Sequence, residues 1–271
     1  MEAASTLRLA SFLTVFLLVA WSELLWPRRR LSVPKTQRWL CNLTIAALDA
    51  GIVRLMAPLL PVAIANLAEV RGWGCFNLLA LPYWLAFILT VVALDLLIYL
   101  QHRLFHRIPF FWRLHRMHHT DLDLDVSSGN RFHPLEILLS LLIKVGAVLL
   151  LGAPAMAVLV FEVALNATSL FNHGNLRIPI VFDRYVRLCV VTPDMHRVHH
   201  SIRPEETDSN FGFNLPWWDR LLGTYRDQPR QGHEGVVIGL KEFRDPQRLG
   251  LFDLLKLPFQ EGGRVKSTPL E

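Results

Sequence analysis

The sequence predicts an all-α integral membrane protein, a bundle of about four to five transmembrane or hairpin helices beneath a helical, histidine-rich cytoplasmic cap. Three observations carry this reading. Of 271 residues, 52% are hydrophobic and only 19% charged, with a mean hydropathy of +0.32; soluble domains carry nearer a quarter charged. The apolar residues are gathered into runs that can cross a bilayer. Eight of the eleven histidines fall into three short boxes.

The first run, Leu7 to Trp26, holds one acid, Glu23, and is followed by PRRRLSVPKTQR. A signal peptide would carry its positive charge before the apolar stretch and a small-residue cleavage site after it. The reverse order here reads as a retained helix whose C-terminal end is cytoplasmic. A weaker run, Trp39 to Ile64, is interrupted by Asp49, Arg54 and two prolines, and is expected to span with a break. After the loop AEVRGWGCFN comes the clearest span, residues 78 to 100, with Asp95 as its single charge; about 20 residues suffice to cross the hydrocarbon. The block Leu135 to Leu170, broken by LGAP at 151 to 154, reads as a hairpin. From Asn172 onward no further span is expected. This count of crossings puts every histidine box on the cytoplasmic face.

Three regions follow: residues 1–90 as N-terminal transmembrane helices, 91–228 as the region that carries the histidine boxes, and 229–271 as a cytoplasmic tail, disordered after Pro258. The net charge of +5 suits an anionic membrane surface; with this apolar content nucleic acid is not an expected partner. Cys41, Cys75 and Cys189 form no CxxC and no regular spacing, which excludes a disulfide framework or zinc ribbon; they read as core thiols. The N-x-S/T matches at Asn42 and Asn166 lie in or beside apolar segments and read as chance.

The boxes are H-R-L-F-H (His102, His106), H-R-M-H-H (His115, His118, His119) and H-R-V-H-H (His196, His199, His200). Residues at i, i+3 and i+4 share a helix face, so each box aims its imidazoles one way. Eight imidazoles aimed together beside an apolar bundle are costly unless something binds them, and a metal does. Eight nitrogens exceed the need of one ion, so two are implied. A lone HxxxH would carry little weight. No HExxH is present; Arg103, Arg116 and Arg197 stand where a metalloprotease needs its Glu. Imidazole suits Fe, Zn, Cu and Ni.

H-R-x-x-H, then H-x-x-H-H, then P-x-x-H-R-V-H-H-S followed by N-F-G and W-D-R-L-L-G-T, resembles the sterol desaturase / fatty acid hydroxylase superfamily. The likeness runs from about Asp95 to Thr224, roughly half the chain. It implies a membrane-bound, non-haem di-iron oxygenase that hydroxylates or desaturates a lipid C–H bond. It implies two iron ions (Fe2+), O2 as co-substrate, and two electrons from a separate donor protein of the cytochrome b5, ferredoxin or flavin reductase type. Its metal ligands fall on His102, His106, His115, His118, His119, His196, His199 and His200, with His173 in F-N-H-G-N-L as a further histidine. Some relatives place another ligand four residues before it, where this chain has Ser169. His133, before Pro134, is either the ligand that fills this position or a pocket or helix-start residue.

Asp95 reads as an acid that orients a histidine of another box, since charges inside spans are functional by default. Asp208, Asn210 and Asp219 match family positions and are expected to support the ligands or stabilise the cap. Asp121, Asp123 and Asp125 read as a solvated loop, and His233 as surface. Trp217 and Trp218 are expected to pack the cap against the interface. Arg103, Arg107, Arg113 and Arg116 are expected to meet lipid phosphates. Two other readings use the same histidines: a membrane zinc hydrolase, or a metal transporter or sensor. The transporter needs a polar path, and Asp49, Arg54 and Asp95 make a poor one.

Overall fold

The computed structural model describes residues 2–260, and they are helical apart from loops and the isolated bridges Pro27–Leu176 and Ser201–Ile238. In chain order the helices are α1 (Glu2–Leu25), α2 (Lys35–Leu55), α3 (Pro61–Arg71), α4 (Cys75–Leu78), α5 (Tyr83–Arg107), α6 (Pro109–His119), α7 (Pro134–Leu151) and α8 (Ala155–Asn172). Then come α9 (Ile180–Val186), α10 (Pro193–His199), α11 (Pro204–Thr207), α12 (Trp217–Leu221), α13 (Gly232–Gly235) and α14 (Leu251–Lys256).

Four of these are long and apolar enough to cross a membrane: Ala3–Leu25, Tyr83–Arg107, Pro134–Leu151 and Ala155–Asn172. At 1.5 Å per residue, α5 is about 37 Å long, more than the hydrocarbon core requires. Leu13, Leu17 and Trp21 of α1 and Ile88 of α5 point outward, as expected of side chains facing lipid. Inside, Ile64 and Ala65 of α3 meet Leu94 and Ile98 of α5, Val148 of α7, and Val158 and Phe161 of α8.

The weak run at 39–64 is two helices rather than a single span, and neither α2 nor α3 is among the four candidates. Pro58 and Pro61 break it. Leu60 is driven to an extended backbone (ψ 144°), as the residue before a proline is. End to end, the two helices still carry the chain from the cap to the opposite end. There Gly74 packs on Gly152 at the α7–α8 turn: a Cβ on Gly74 would lie 2.1 Å from the Gly152 nitrogen, and both glycines have positive φ. This contact needs two residues without side chains. The hairpin at LGAP is as expected, and no described helix after Asn172 qualifies as a span.

The loop after α6 departs from expectation. Asp121, Asp123 and Asp125 are buried, not solvated. Arg38 of α2 explains it. Its Nε and Nη2 donate to the two oxygens of Asp121 at 2.6 and 2.8 Å, and its Nη1 donates to Asp125 at 2.6 Å. Asp123 accepts from the backbone N–H groups of Ser32 and Val33. Arg131, also buried, donates to Asn42 and Thr120. Burial alone would raise the Asp121 carboxyl, but the charge and hydrogen bonds of Arg38 outweigh it and hold the group well below the usual carboxylate range. Glu23 at the end of α1 completes the tie, accepting from the N–H of Val126 and of Asn175.

Within 229–271, expected as a tail, the described residues 232–259 pack on the cap: Leu254 and Leu257 are buried with Ile45 and Met117. Residues after Gln260 lie outside the described ones. His233 is buried 3.6 Å from Asp194, so it is not a surface residue. Arg116 is buried too and reaches the carbonyls of Leu257 and Gln260 rather than a lipid surface, whereas Arg107 and Arg113 are exposed. Cys75 and Cys189 are exposed and Cys41 is half-buried, so none is a core thiol.

Removing one partner of a buried ion pair costs about 3–5 kcal/mol. Arg38→Ala is therefore expected to lower the thermal unfolding midpoint in detergent sharply. Arg38→Lys recovers only part, because an ammonium lacks the guanidinium fork. An unchanged midpoint in Arg38→Ala would show that the network carries no stability.

Candidate metal centre

The helices that meet under the cap bring nine histidines together. His102 and His106 come from the last turns of α5, and His115, His118 and His119 from α6. His173 caps the C-terminus of α8, and His196, His199 and His200 come from α10 and its C-cap. Helix α10 starts where the sequence signals it: the Thr192 hydroxyl accepts from the N–H of Met195, and Pro193 takes the first helical position.

The nine divide into two groups. His102, His106, His115, His119 and His199 form one, and His118, His173, His196 and His200 the other; within each, one nitrogen per ring lies within 4.8 Å of the others. Helices α6 and α10 feed both. His115 and His119, four apart, go to the first group, and His196 and His200, four apart, go to the second. His118 and His199 cross over. The groups adjoin: the His118 and His200 ring centroids are 4.6 Å apart, as are those of His119 and His200.

Hydrogen bonds behind the rings decide which nitrogen faces inward. The Nδ1–H of His102, His173 and His199 donates to the carbonyls of Phe211 (2.8 Å), Ser169 (2.7 Å) and Ser209 (2.8 Å), and that of His118 to Arg131 at 3.3 Å. A carbonyl only accepts, so in a neutral ring Nε2 then holds a lone pair. His118 Nε2 and His173 Nε2 lie 3.0 Å apart, with no proton available between them. Burial opposes protonation: it lowers His118, His119, His196, His199 and His200 well below their ordinary value, His173 to about 4 and His115 to about 3. His199 Nε2 and His119 Nε2 are buried with no protein partner. Two lone pairs held face to face, with further nitrogens orphaned beside them, form a donor set that a cation fits. All-imidazole donors suit Fe, Zn, Cu or Ni among divalent ions.

Two carboxylates stand behind the rings. Glu136 Oε1 is 2.7 Å from His115 Nδ1. Asp208 Oδ1 is 3.3 Å from His106 Nδ1, an ion-pair distance with poor hydrogen-bond alignment. Asp208 thus stands where a supporting residue was expected. Glu136 was not singled out from sequence, although an acid three residues after a histidine, in the first turn of an apolar helix, was a usable signal. Ser169 acts through its backbone carbonyl on His173, and its hydroxyl donates to Gly129. Asp219 accepts from the N–H of Phe211 and Gly212 and from the Thr224 hydroxyl, so it fixes the carbonyl that orients His102. Asn210, at φ 52°, donates to the carbonyls of Met195 and Arg226 and ties the following loop to α10.

Three residues lie elsewhere. Asp95 touches no histidine in either group; it accepts from Trp218 Nε1 at 2.7 Å and pins α12 to the bundle. Trp217 donates to the Leu188 carbonyl. His133 stands outside both groups. It caps α7, accepting from the Leu135 N–H at 3.1 Å, with its other nitrogen 3.2 Å from the Leu255 carbonyl. The helix-start reading of His133 is the one realised.

A cavity of about 1260 Å3 leads from His102 and His115 down between α1, α2, α7 and α8. Its walls near the histidines are Phe105, Phe132 and Phe213, so the histidines communicate with the interior of the membrane-spanning helices.

A family described as fatty acid hydroxylase matches residues 87–224. The chain is 28% identical to the ornithine lipid hydroxylase OlsE of Rhizobium tropici, over 93% of this chain and 76% of that one. It is 26% identical to alkylglycerol monooxygenase of Homo sapiens, over 72% of this chain and 42% of that one. It is 23% identical to lathosterol oxidase of Homo sapiens, over 67% and 61%. The chain thus spans less than half of the monooxygenase. No solved structure matches.

Partners that orient metal-bound imidazoles typically tune affinity 10–100-fold. Glu136→Gln, which leaves His115 without its carboxylate, is expected to weaken divalent metal binding by about that factor in competition with a chelator. Unchanged affinity would contradict the orienting role.

Proposed function

The chain belongs to the fatty acid hydroxylase family, and from that premise we propose that it is a membrane-bound non-haem di-iron oxygenase acting on a lipid C–H bond. The observation that carries the reading is the division of nine buried imidazoles into two adjoining groups of five and four. Each group suits one ion, and their adjacency suits two ions acting together. The proposed ligands are His102, His106, His115, His119 and His199 for one iron, and His118, His173, His196 and His200 for the other. The catalytic region corresponds to residues 91–228, preceded by membrane helices.

Bound iron supplies O2 activation, which an unactivated C–H bond requires. Hydroxylation consumes R–H, O2, two electrons and two protons and gives R–OH and water; desaturation takes the same equivalents and gives an alkene and two waters. The chain's own residues prepare this chemistry. Carbonyls and carboxylates hold the rings in place before the substrate arrives. Burial keeps the imidazoles neutral, as metal binding demands. The packed cap excludes bulk water, and the cavity brings a lipid to His102 and His115. The electrons come from a separate donor protein.

The cap faces the cytoplasm in this proposal. The segment joining α1 to α2 carries Arg28, Arg29 and Arg30, α2 begins with Lys35, and the segment lies against the cap, with Arg28 bonded to Asp194; a basic segment of this kind marks the cytoplasmic side.

The reading is tested with purified protein given ferrous iron, a chemical reductant, a membrane lipid extract and 18O2. A lipid product carrying 18O, or one that has lost two hydrogens only when O2 is present, is expected. His118→Ala and His199→Ala, one from each group, are each expected to abolish it. Turnover without O2, oxygen derived from water, or full activity in either variant would contradict the proposal.

A further inference from the structure

The cavity below the histidines is not uniformly apolar. Arg8 of α1, Lys144 of α7 and Glu162 of α8 all line it. The Arg8 guanidinium bonds one oxygen of Glu162, and the Lys144 ammonium lies 3.3 Å from the other. Two cations therefore share one carboxylate. With all three ionised the trio carries one net positive charge, inside helices apolar enough to span a bilayer. Charges in such positions are expensive and mark function by default. Asp49 and Arg54 line the same cavity and cancel formally, while Glu136 is engaged with His115.

The trio also sits at a defined depth. Lys144 is eight residues after Glu136 on α7, about 12 Å along the helix axis, and Glu136 touches His115. Glu162 is seven residues before Ser169 on α8, about 10 Å, and Ser169 holds His173. Two separate helices thus place the trio at similar axial offsets from the residues that support the two histidine groups. Between them the wall is largely apolar, with Ile98, Ile137, Leu141 and Leu165.

We propose that Arg8, Lys144 and Glu162 form a receptor for an anionic group, a carboxylate or a phosphate, on the lipid that enters this cavity, and that it acts as a ruler. The anion balances the uncompensated cation. Glu162 holds the two cations in place and competes with the ligand for them. The carbon to be oxidised then lies at least about 10–12 Å from the anion, which makes the reaction regioselective on a flexible chain. This rests on the reading of the histidines as the oxidising centre.

Binding is measured on the full-chain protein in non-ionic detergent, by scintillation proximity, with radiolabelled hexadecanoate, hexadecyl phosphate and hexadecanol. At least one anionic lipid is expected to bind about tenfold or more tightly than the alcohol, equivalent to about 1.4 kcal/mol. The stronger of the two names the group, and equal strength supports a general anion site. Arg8→Gln with Lys144→Gln is expected to remove the preference, and Glu162→Gln to widen it. That second direction guards against misfolding, since a damaged protein does not gain affinity for anions alone. Equal binding of alcohol and anions by the unaltered protein, or a preference that survives the double substitution, would overturn the proposal. Product mapping by tandem mass spectrometry tests the ruler: oxidation is expected at one position well removed from the anion, and oxidation scattered along the chain or adjacent to the anion would overturn it. Because binding is read without turnover, a protein that selects anions but oxidises nothing would refute the oxygenase reading and leave the anion site standing.

Discussion

Two imidazole nitrogens, on His118 and His173, face each other at 3.0 Å with their protons committed to carbonyls on the far sides of the rings. Neutral, they present lone pair to lone pair; charged, they would be buried cations side by side. Both states are costly without a third body, and a single proton shared between the rings would still leave one buried cation. The same holds more loosely for the other inward nitrogens. A buried polar group without a partner costs about 1–3 kcal/mol. Five of the nine rings, those of His106, His119, His196, His199 and His200, carry a buried nitrogen with no protein partner, and together that cost is of the order of the whole stability of a domain, about 5–15 kcal/mol. The cap presents these nitrogens as a donor set that a bound cation would satisfy.

The rest of the fold meets that demand. Rings can be held against one another only if their supports are stiffer than the repulsion, and the supports here are bonded into the bundle. Arg38 and the aspartates hold the loop that carries Arg131, whose carbonyl orients His118. Asp219 holds Phe211, whose carbonyl orients His102. Gly212 is part of this arrangement: a Cβ there would lie 2.8 Å from the Asp219 carboxylate. The membrane helices thus serve two purposes. They bury the donors for the centre, and they enclose a cavity through which an apolar chain can reach it.

Much of this was legible in the sequence. The four apolar helices are long and strongly patterned, and the breaks at LGAP and at the prolines of 58 and 61 are local signals. The boxes were legible because i, i+3 and i+4 spacing has one geometric meaning on a helix, and His173 came with the family resemblance. What escaped depends on distant contacts. Asp121, Asp123 and Asp125 alternate like a solvated loop until Arg38, more than eighty residues away, is brought onto them. Asp95 looked like a histidine partner because its separation along α5 was visible, whereas the position of Trp218 was not. His233 looked exposed because its burial depends on Asp194 and the packed C-terminal segment. Four of the ring supports are backbone carbonyls, which leave no mark in the residue type. Glu136 alone among the missed groups left a readable trace.

The most direct test of the account is the metal itself. Protein purified anaerobically and loaded with ferrous iron is expected to hold two irons per chain by mass spectrometry, with X-ray absorption showing nitrogen-dominated coordination and a second iron as a near neighbour of the first. A single ion per chain, a preference for zinc that iron does not displace, or irons with no metal neighbour would contradict it.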